Sequence, residues 1–131
     1  MRVALDNPAS APQPANSYYS QVARVELPGG GALLYLSGQV ADGPDLATQS
    51  RGVFETIAAL LAAHGAGLDD IINIRTYLTD IGGLGEYGAV RREFLTGTAP
   101  TSMTFEAARL FKPDALVEVE VVAAVGTRAE A

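Results

Sequence analysis

The chain has 131 residues, 48% of them hydrophobic, with 15 acidic residues against nine basic ones and no cysteine. One domain of this length buries a core without disulfides or metal, and the missing cysteine removes thiolate nucleophiles and cysteine metal sites together. A net charge of −6 with scattered basic residues argues against nucleic acid, and no apolar run approaches the roughly 20 residues of a membrane span.

Residues 1–17, rich in Pro, Ala, Asn and Ser without periodicity, read as an extended N-terminal arm with no signal-peptide layout. A soluble cytoplasmic protein is expected. Residues 18–125 form the single domain. Tyr19 to Glu26 alternates, and Pro28-Gly29-Gly30-Gly31 turns the chain into a second strand, Ala32 to Val40, giving a hairpin. Asp45 is placed to cap a helix over 46–64 whose stripe is Leu46, Val53, Ile57, Leu60, Leu61 and His64. Arg51 and Glu55 are spaced for an i,i+4 pair, and Gly65 ends the helix.

Ile71 to Thr79 alternates as a third strand, with Ile72, Ile74, Thr76 and Leu78 opposite Asn73, Arg75, Tyr77 and Thr79. A shorter helix ends near Thr96. From Pro100 the chain reads as two alternating strands closed by a Lys112-Pro113-Asp114 turn. In the last strand Val117, Val119 and Val121 oppose Glu118, Glu120 and Val122. In the one before it, Met103 and Phe105 oppose Ser102, Thr104 and Glu106. Residues 126–131 look like a tail. The order is β-β-α-β-α-β-β, an α+β domain with both helices on one face of the sheet. Val117, Val119, Met103, Ile72 and Ile74 are expected beneath the helices. The other face then carries Arg75, Tyr77, Ser102, Thr104, Glu106, Glu118 and Glu120, a mixed surface suited to burial against another subunit.

Chemistry is sparse. Glu118 and Glu120 are either a charged surface or a general base with its neighbour. Arg75 either bridges them or binds a substrate carboxylate through its two-pronged donor geometry. His64 is the sole histidine and sits where an imidazole satisfies the last carbonyls of a helix, so Ser-His-Asp chemistry has no base. Ser37 lacks the G-x-S-x-G frame. No metal or organic cofactor is expected.

Four segments in order resemble the RidA/YjgF reactive-intermediate deaminases: Tyr19-Ser20-Gln21, Ser37-Gly38-Gln39, Tyr77-Leu78-Thr79-Asp80, and Pro100 to Leu110 followed by Val117-Glu118-Val119-Glu120. The resemblance implies a chorismate-mutase-like homotrimer with ligand clefts between subunits. It also implies cofactor-independent hydrolysis of enamines or imines, such as 2-aminoacrylate, to a keto acid and ammonia. On this chain Tyr19, Ser37 and Gly38 would line the cleft and Glu118 would position water. The family's carboxylate-clamping arginine, two residues after the proline, is Ser102 here. Relatives with Ser or Thr there often carry an arginine on the third strand, which implies Arg75 as the clamp. A metabolite-binding trimer without turnover, and a biosynthetic member acting on another imine-like intermediate, are the alternatives.

Overall fold

The computed structural model describes residues 1–126, so the tail expected over 126–131 lies, beyond Gly126, outside the described residues. Six strands form one mixed sheet: β1 Arg2–Asp6, β2 Val22–Glu26, β3 Ala32–Leu36, β4 Ile71–Leu78, β5 Thr101–Glu106 and β6 Val117–Val125. Helix α1, Leu46–Ala62, joins β3 to β4, and α2, Leu84–Phe94, joins β4 to β5. The sheet order is β1-β2-β3-β6-β4-β5. Every neighbouring pair is antiparallel except β4 and β5.

Both helices lie on one face, as the sequence implies. The α1 stripe Val53, Phe54, Ile57, Leu60 and Leu61 follows the 3.6-residue period and is fully buried. It packs with Leu34, Ile74, Leu78, Val117, Val119 and Val121 from the sheet. Phe54 stacks on Tyr87 and Phe94 of α2, with ring centroids 6.0 and 5.4 Å away. Asp45 caps α1 by accepting from the Thr48 N–H at 2.8 Å. Gly65 then takes φ of +74°, which favours glycine.

Four expectations need correction. Residues 2–6 of the supposed arm form β1, which pairs along its length with β2. The Pro100–Val121 hairpin does not exist. An α2 crossover returns β5 parallel to β4, so β4 separates β5 from β6. Arg51 pairs with Glu93 across the two helices and not with Glu55 along α1. His64 gives its Nε2 to Asp6 at 2.9 Å, tying β1 to the end of α1, in place of capping helix carbonyls.

The faces of two strands also shift. A bulge between Ile71 and Asn73 turns Ile71 inward and leaves Ile72 exposed, while Ile74, Thr76 and Leu78 keep the expected side. In β5, Met103 is paired with Arg75 and Phe105 with Tyr77, so both stand on the helix-free face. Ser102, Thr104 and Glu106 therefore stand on the helix side. A one-residue slip inverts every side chain of a strand, and an exposed edge strand offers no buried row to fix the choice.

One buried side chain holds the segment after β5 in place. Gln49 of α1 donates to the Gly43 and Asp114 carbonyls at 3.1 Å and accepts from the Leu116 N–H at 2.8 Å. Gln49→Met fills the same space but leaves the part-buried Leu116 N–H without its acceptor. A loss of about 1–3 kcal/mol is expected in urea denaturation.

Candidate active site

The site begins at a break in the ladder between β3 and β6. Tyr35 pairs with Val122 and Gln39 with Val119, so β3 carries one residue more than the facing stretch of β6. This bulge lifts Ser37 and Gly38 away from regular pairing on the helix-free side. Buried glutamines fix its edges. Gln39 Nε2 donates to Gln21 Oε1 at 2.7 Å and to the Ser37 carbonyl at 2.9 Å, and Gln21 Nε2 donates to the Pro12 carbonyl. Ser37 Oγ donates to the Ser20 carbonyl at 2.7 Å. The Tyr19 hydroxyl accepts from the Ala15 N–H at 3.0 Å. Two segments distant in sequence are thereby clasped, with Tyr19 beside Gly38.

Tyr19, Ser37, Gly38 and Glu118 line one pocket of about 380 Å³, with Tyr18 and Phe111 as aromatic walls. Glu118 reaches it from β6, opposite Tyr77 of β4. A Cβ on Gly38 would stand 2.1 Å from Glu118 Oε2, so only glycine leaves that oxygen its place. Burial pushes the Glu118 carboxyl above its ordinary value, and the nearby Glu120 carboxylate pushes it the same way. Among the described residues no N–H or hydroxyl donates to Glu118. It is a partly buried acceptor facing a hollow with its hydrogen-bonding capacity unused.

Arg75 stands one strand over on the same face. Its Nη1 is 3.8 Å from Glu120 Oε1, and that same oxygen accepts from the Tyr77 hydroxyl at 2.6 Å. This hydrogen bond, with burial and the Glu120 charge, raises the Tyr77 phenol to about 12. The Tyr77 ring meets Phe105 edge-on at 4.9 Å. Arg75 and Glu120 line a neighbouring hollow of about 300 Å³ that shares only Ser37 with the Glu118 pocket.

Ser102 is not in this group. It pairs with Ile74 and points to the helix side, where its Oγ accepts from Arg91 Nη2 of α2 at 3.2 Å. Sequence reasoning missed Phe111, Gln21, Gln39 and Arg91. Phe111 sits on an aperiodic loop held by Lys112, whose Nζ reaches Asp42 at 2.7 Å and Asp114 at 2.6 Å. The glutamines lay inside the motifs that carried the resemblance, and their hydrogen bond explains the pairing of those motifs. Among the described residues no group of three or more His, Cys, Asp or Glu side chains is placed to hold a metal ion. No described helix is long and apolar enough to cross a membrane.

Two helices on one face of a mixed six-stranded sheet, with a pocket on the opposite face, define a small α+β domain of a widely shared kind. The family described as Endoribonuclease L-PSP matches residues 8–125. A RutC family protein of Pyrococcus horikoshii is 32% identical over 122 residues, covering 87% of this chain and 91% of its own. One of Saccharolobus solfataricus is 33% identical, covering 86% and 90%. Among solved structures, the conserved Rid family protein YyfA of Yersinia pestis superposes with a TM-score of 0.82 at 29% identity, over 95% of this chain and all of its own. E. coli TdcF, solved with bound serine, gives 0.78 at 26%, over 96% and 99%. The chain belongs to the RidA/YjgF family.

Proposed function

We propose that this protein hydrolyses a small imine or enamine of a carboxylic acid to the keto acid and ammonia, in clefts completed when copies assemble as a homotrimer. The observation that carries the reading is Glu118: partly buried, without a donor, and pressed against Gly38 at the floor of an aromatic-walled pocket. Such a carboxylate holds a water molecule and accepts its proton. The enamine tautomerises to the imine, and water then adds its oxygen to the C=N carbon. Glu118 takes one proton of that water and returns it to nitrogen, giving the carbinolamine. The carbinolamine hydroxyl proton then passes by way of Glu118 to the same nitrogen, the C=O bond forms as the C–N bond breaks, and ammonia departs. The family membership supports this class of chemistry, and the serine bound by TdcF supports a ligand of amino-acid size. Only side chains and water take part, in keeping with a cytoplasmic, cofactor-independent protein. Ribonuclease action, which the family's description names, finds little support, since the sole imidazole is engaged with Asp6 and does not line the pocket.

Arg75 is assigned here to Glu120, whose charge it offsets, and not to the substrate. The exposed Tyr35, Met103, Phe105 and Phe111 on the helix-free side favour burial against another copy. A metabolite-binding trimer without turnover is the second reading, favoured by one observation: among the described residues of a single chain no cation lines the Glu118 pocket. The test generates 2-aminoacrylate or iminobutyrate in situ and follows keto-acid appearance. Release faster with protein than without is expected. An unchanged rate beside saturable binding of serine or a keto acid would establish the binding module instead.

A further inference from the structure

Among the described residues the Glu118 pocket has an anion and no cation, whereas a second feature of the molecule has the opposite character. Among the described residues Arg24 pairs with Glu26, Arg51 with Glu93, Arg75 with Glu120, and Lys112 with Asp42 and Asp114. Arg91 has no carboxylate partner there. Its guanidinium is held by a neutral hydroxyl: it donates to Ser102 Oγ at 3.2 Å, with the Tyr87 side chain beside it. Tyr87 is buried, and its oxygen lies 2.6 Å from Thr76 Oγ1, which is buried too. A hydroxyl fixes the position of a guanidinium without cancelling its charge, so among the described residues this cation is preorganised and uncompensated.

Beside it runs a groove of about 520 Å³ between α2 and the segment leading to β5, walled by Tyr87, Leu95 and Pro100 and flanked by Arg91 and Arg92. Among the described residues no acidic side chain lines it. Within one chain this cation cannot serve the Glu118 pocket, because Ser102 points to the helix side and Glu118 to the other. β5 is, however, an edge strand whose Met103 and Phe105 are 42% and 43% exposed. A second copy laid along that edge would bring an anionic pocket to a cationic groove. We propose that Arg91 of one copy, seated on Ser102, completes the Glu118 pocket of a second copy and there binds the carboxylate of the substrate. This rests on the hydrolytic reading for its substrate. It places the anion-binding cation on α2, where Arg75 would place it on β4.

Arg91→Gln keeps hydrogen-bonding capacity but removes the charge. It is expected to lower kcat/KM for a carboxylate-bearing imine by about 10- to 100-fold, mainly through KM. Hydrolysis of an imine lacking the carboxylate is expected to be unaffected, a distinction that a merely structural role for Arg91 would not produce. Should Arg91→Gln fail to assemble on a sizing column, Arg91→Lys is read in its place and is expected to retain part of the affinity. Co-expressing Arg91→Gln with Glu118→Gln and isolating the mixed assemblies tests the shared site directly. In a mixed cyclic trimer one cleft in three regains both native halves, and activity returns to about a third of native. Mixed assemblies as inactive as their parents, or an unchanged KM in Arg91→Gln, would overturn the proposal. Calorimetric titration with pyruvate separates it from the hydrolytic reading. Arg91→Gln is expected to weaken binding at least about tenfold even if turnover proves absent, and undiminished binding would overturn it.

Discussion

Glu118→Gln is expected to abolish hydrolysis and, at the same time, to make the protein more resistant to heat at neutral pH. The amide keeps the size of the side chain and its contact with Gly38 but cannot take a proton from water. Loss of a positioned general base typically costs about 10²- to 10⁴-fold in rate. The stability gain has a separate cause. Burial, assisted by Glu120, raises the Glu118 carboxyl above the ordinary glutamate value of 4.5, so the folded protein holds this proton more tightly than the unfolded chain does. A raised carboxyl adds no penalty below the unfolded value, where both states are protonated. As pH rises through the folded value, the protein must ionise a group in a site that disfavours it, and stability falls. The advantage of Gln over Glu should therefore be present at pH 7 and disappear below about pH 4. Thermal melts of both proteins across that range check this. The pH–rate profile gives an independent reading: its acid limb reports the ionisation of the base and should fall above 4.5, not at it. A variant with native activity removes Glu118 from the chemistry, whatever its stability.

The sequence made some of this legible for identifiable reasons. β6 alternates valine with glutamate, and so strong a contrast fixes both the strand and its buried row. β5 runs Thr-Ser-Met-Thr-Phe-Glu on an exposed edge, where alternation announces a strand but not which row turns to the helices. The hairpin expected between them failed for a topological reason: α2 carries the chain back parallel to β4, and the ten residues after β5 then cross over β4 to reach β6. β1 escaped notice because a five-residue edge strand ahead of a proline-rich stretch has no buried row to mark it.

At the site, Tyr19, Ser37, Gly38 and Glu118 were marked by motif order, and the structure brings these four around one pocket. The arginines were another matter. Arg75 shares a face with Glu120 by alternation alone, and their 3.8 Å contact matches the bridge that the sequence left open. Arg91 carries no signal in one dimension, because its contact with Ser102 exists only once the β4–α2–β5 unit has folded. Helix residues that serve a strand across a crossover are beyond periodicity, which describes one element at a time.

Gly38→Ala is expected to cost about 10²-fold or more in turnover while leaving the fold intact. Gly38 has no positive φ, so alanine brings no backbone strain. What it brings is a methyl group 2.1 Å from Glu118 Oε2, 3.0 Å from Cδ and 3.2 Å from Cγ. Two atoms cannot share that space, and of the two groups only the glutamate side chain is free to turn. The carboxylate must swing away by about 1 Å or more, and a displacement of that size at a reacting group suffices for the predicted loss. The urea midpoint should stay close to that of the native protein, since a partly buried side chain can rotate toward solvent without opening the core. Two comparisons distinguish displacement from a general disturbance of the bulge. Placed on the Glu118→Gln background, Gly38→Ala should add almost nothing, because its whole effect passes through that carboxylate. Combined with Glu118→Asp, it should cost far less than it does with glutamate, because a side chain shorter by one methylene can withdraw from the new methyl group. Independent, additive losses in both backgrounds would mean that Gly38 acts on the substrate or on the loop itself, and the steric account of the Gly38–Glu118 contact would fall.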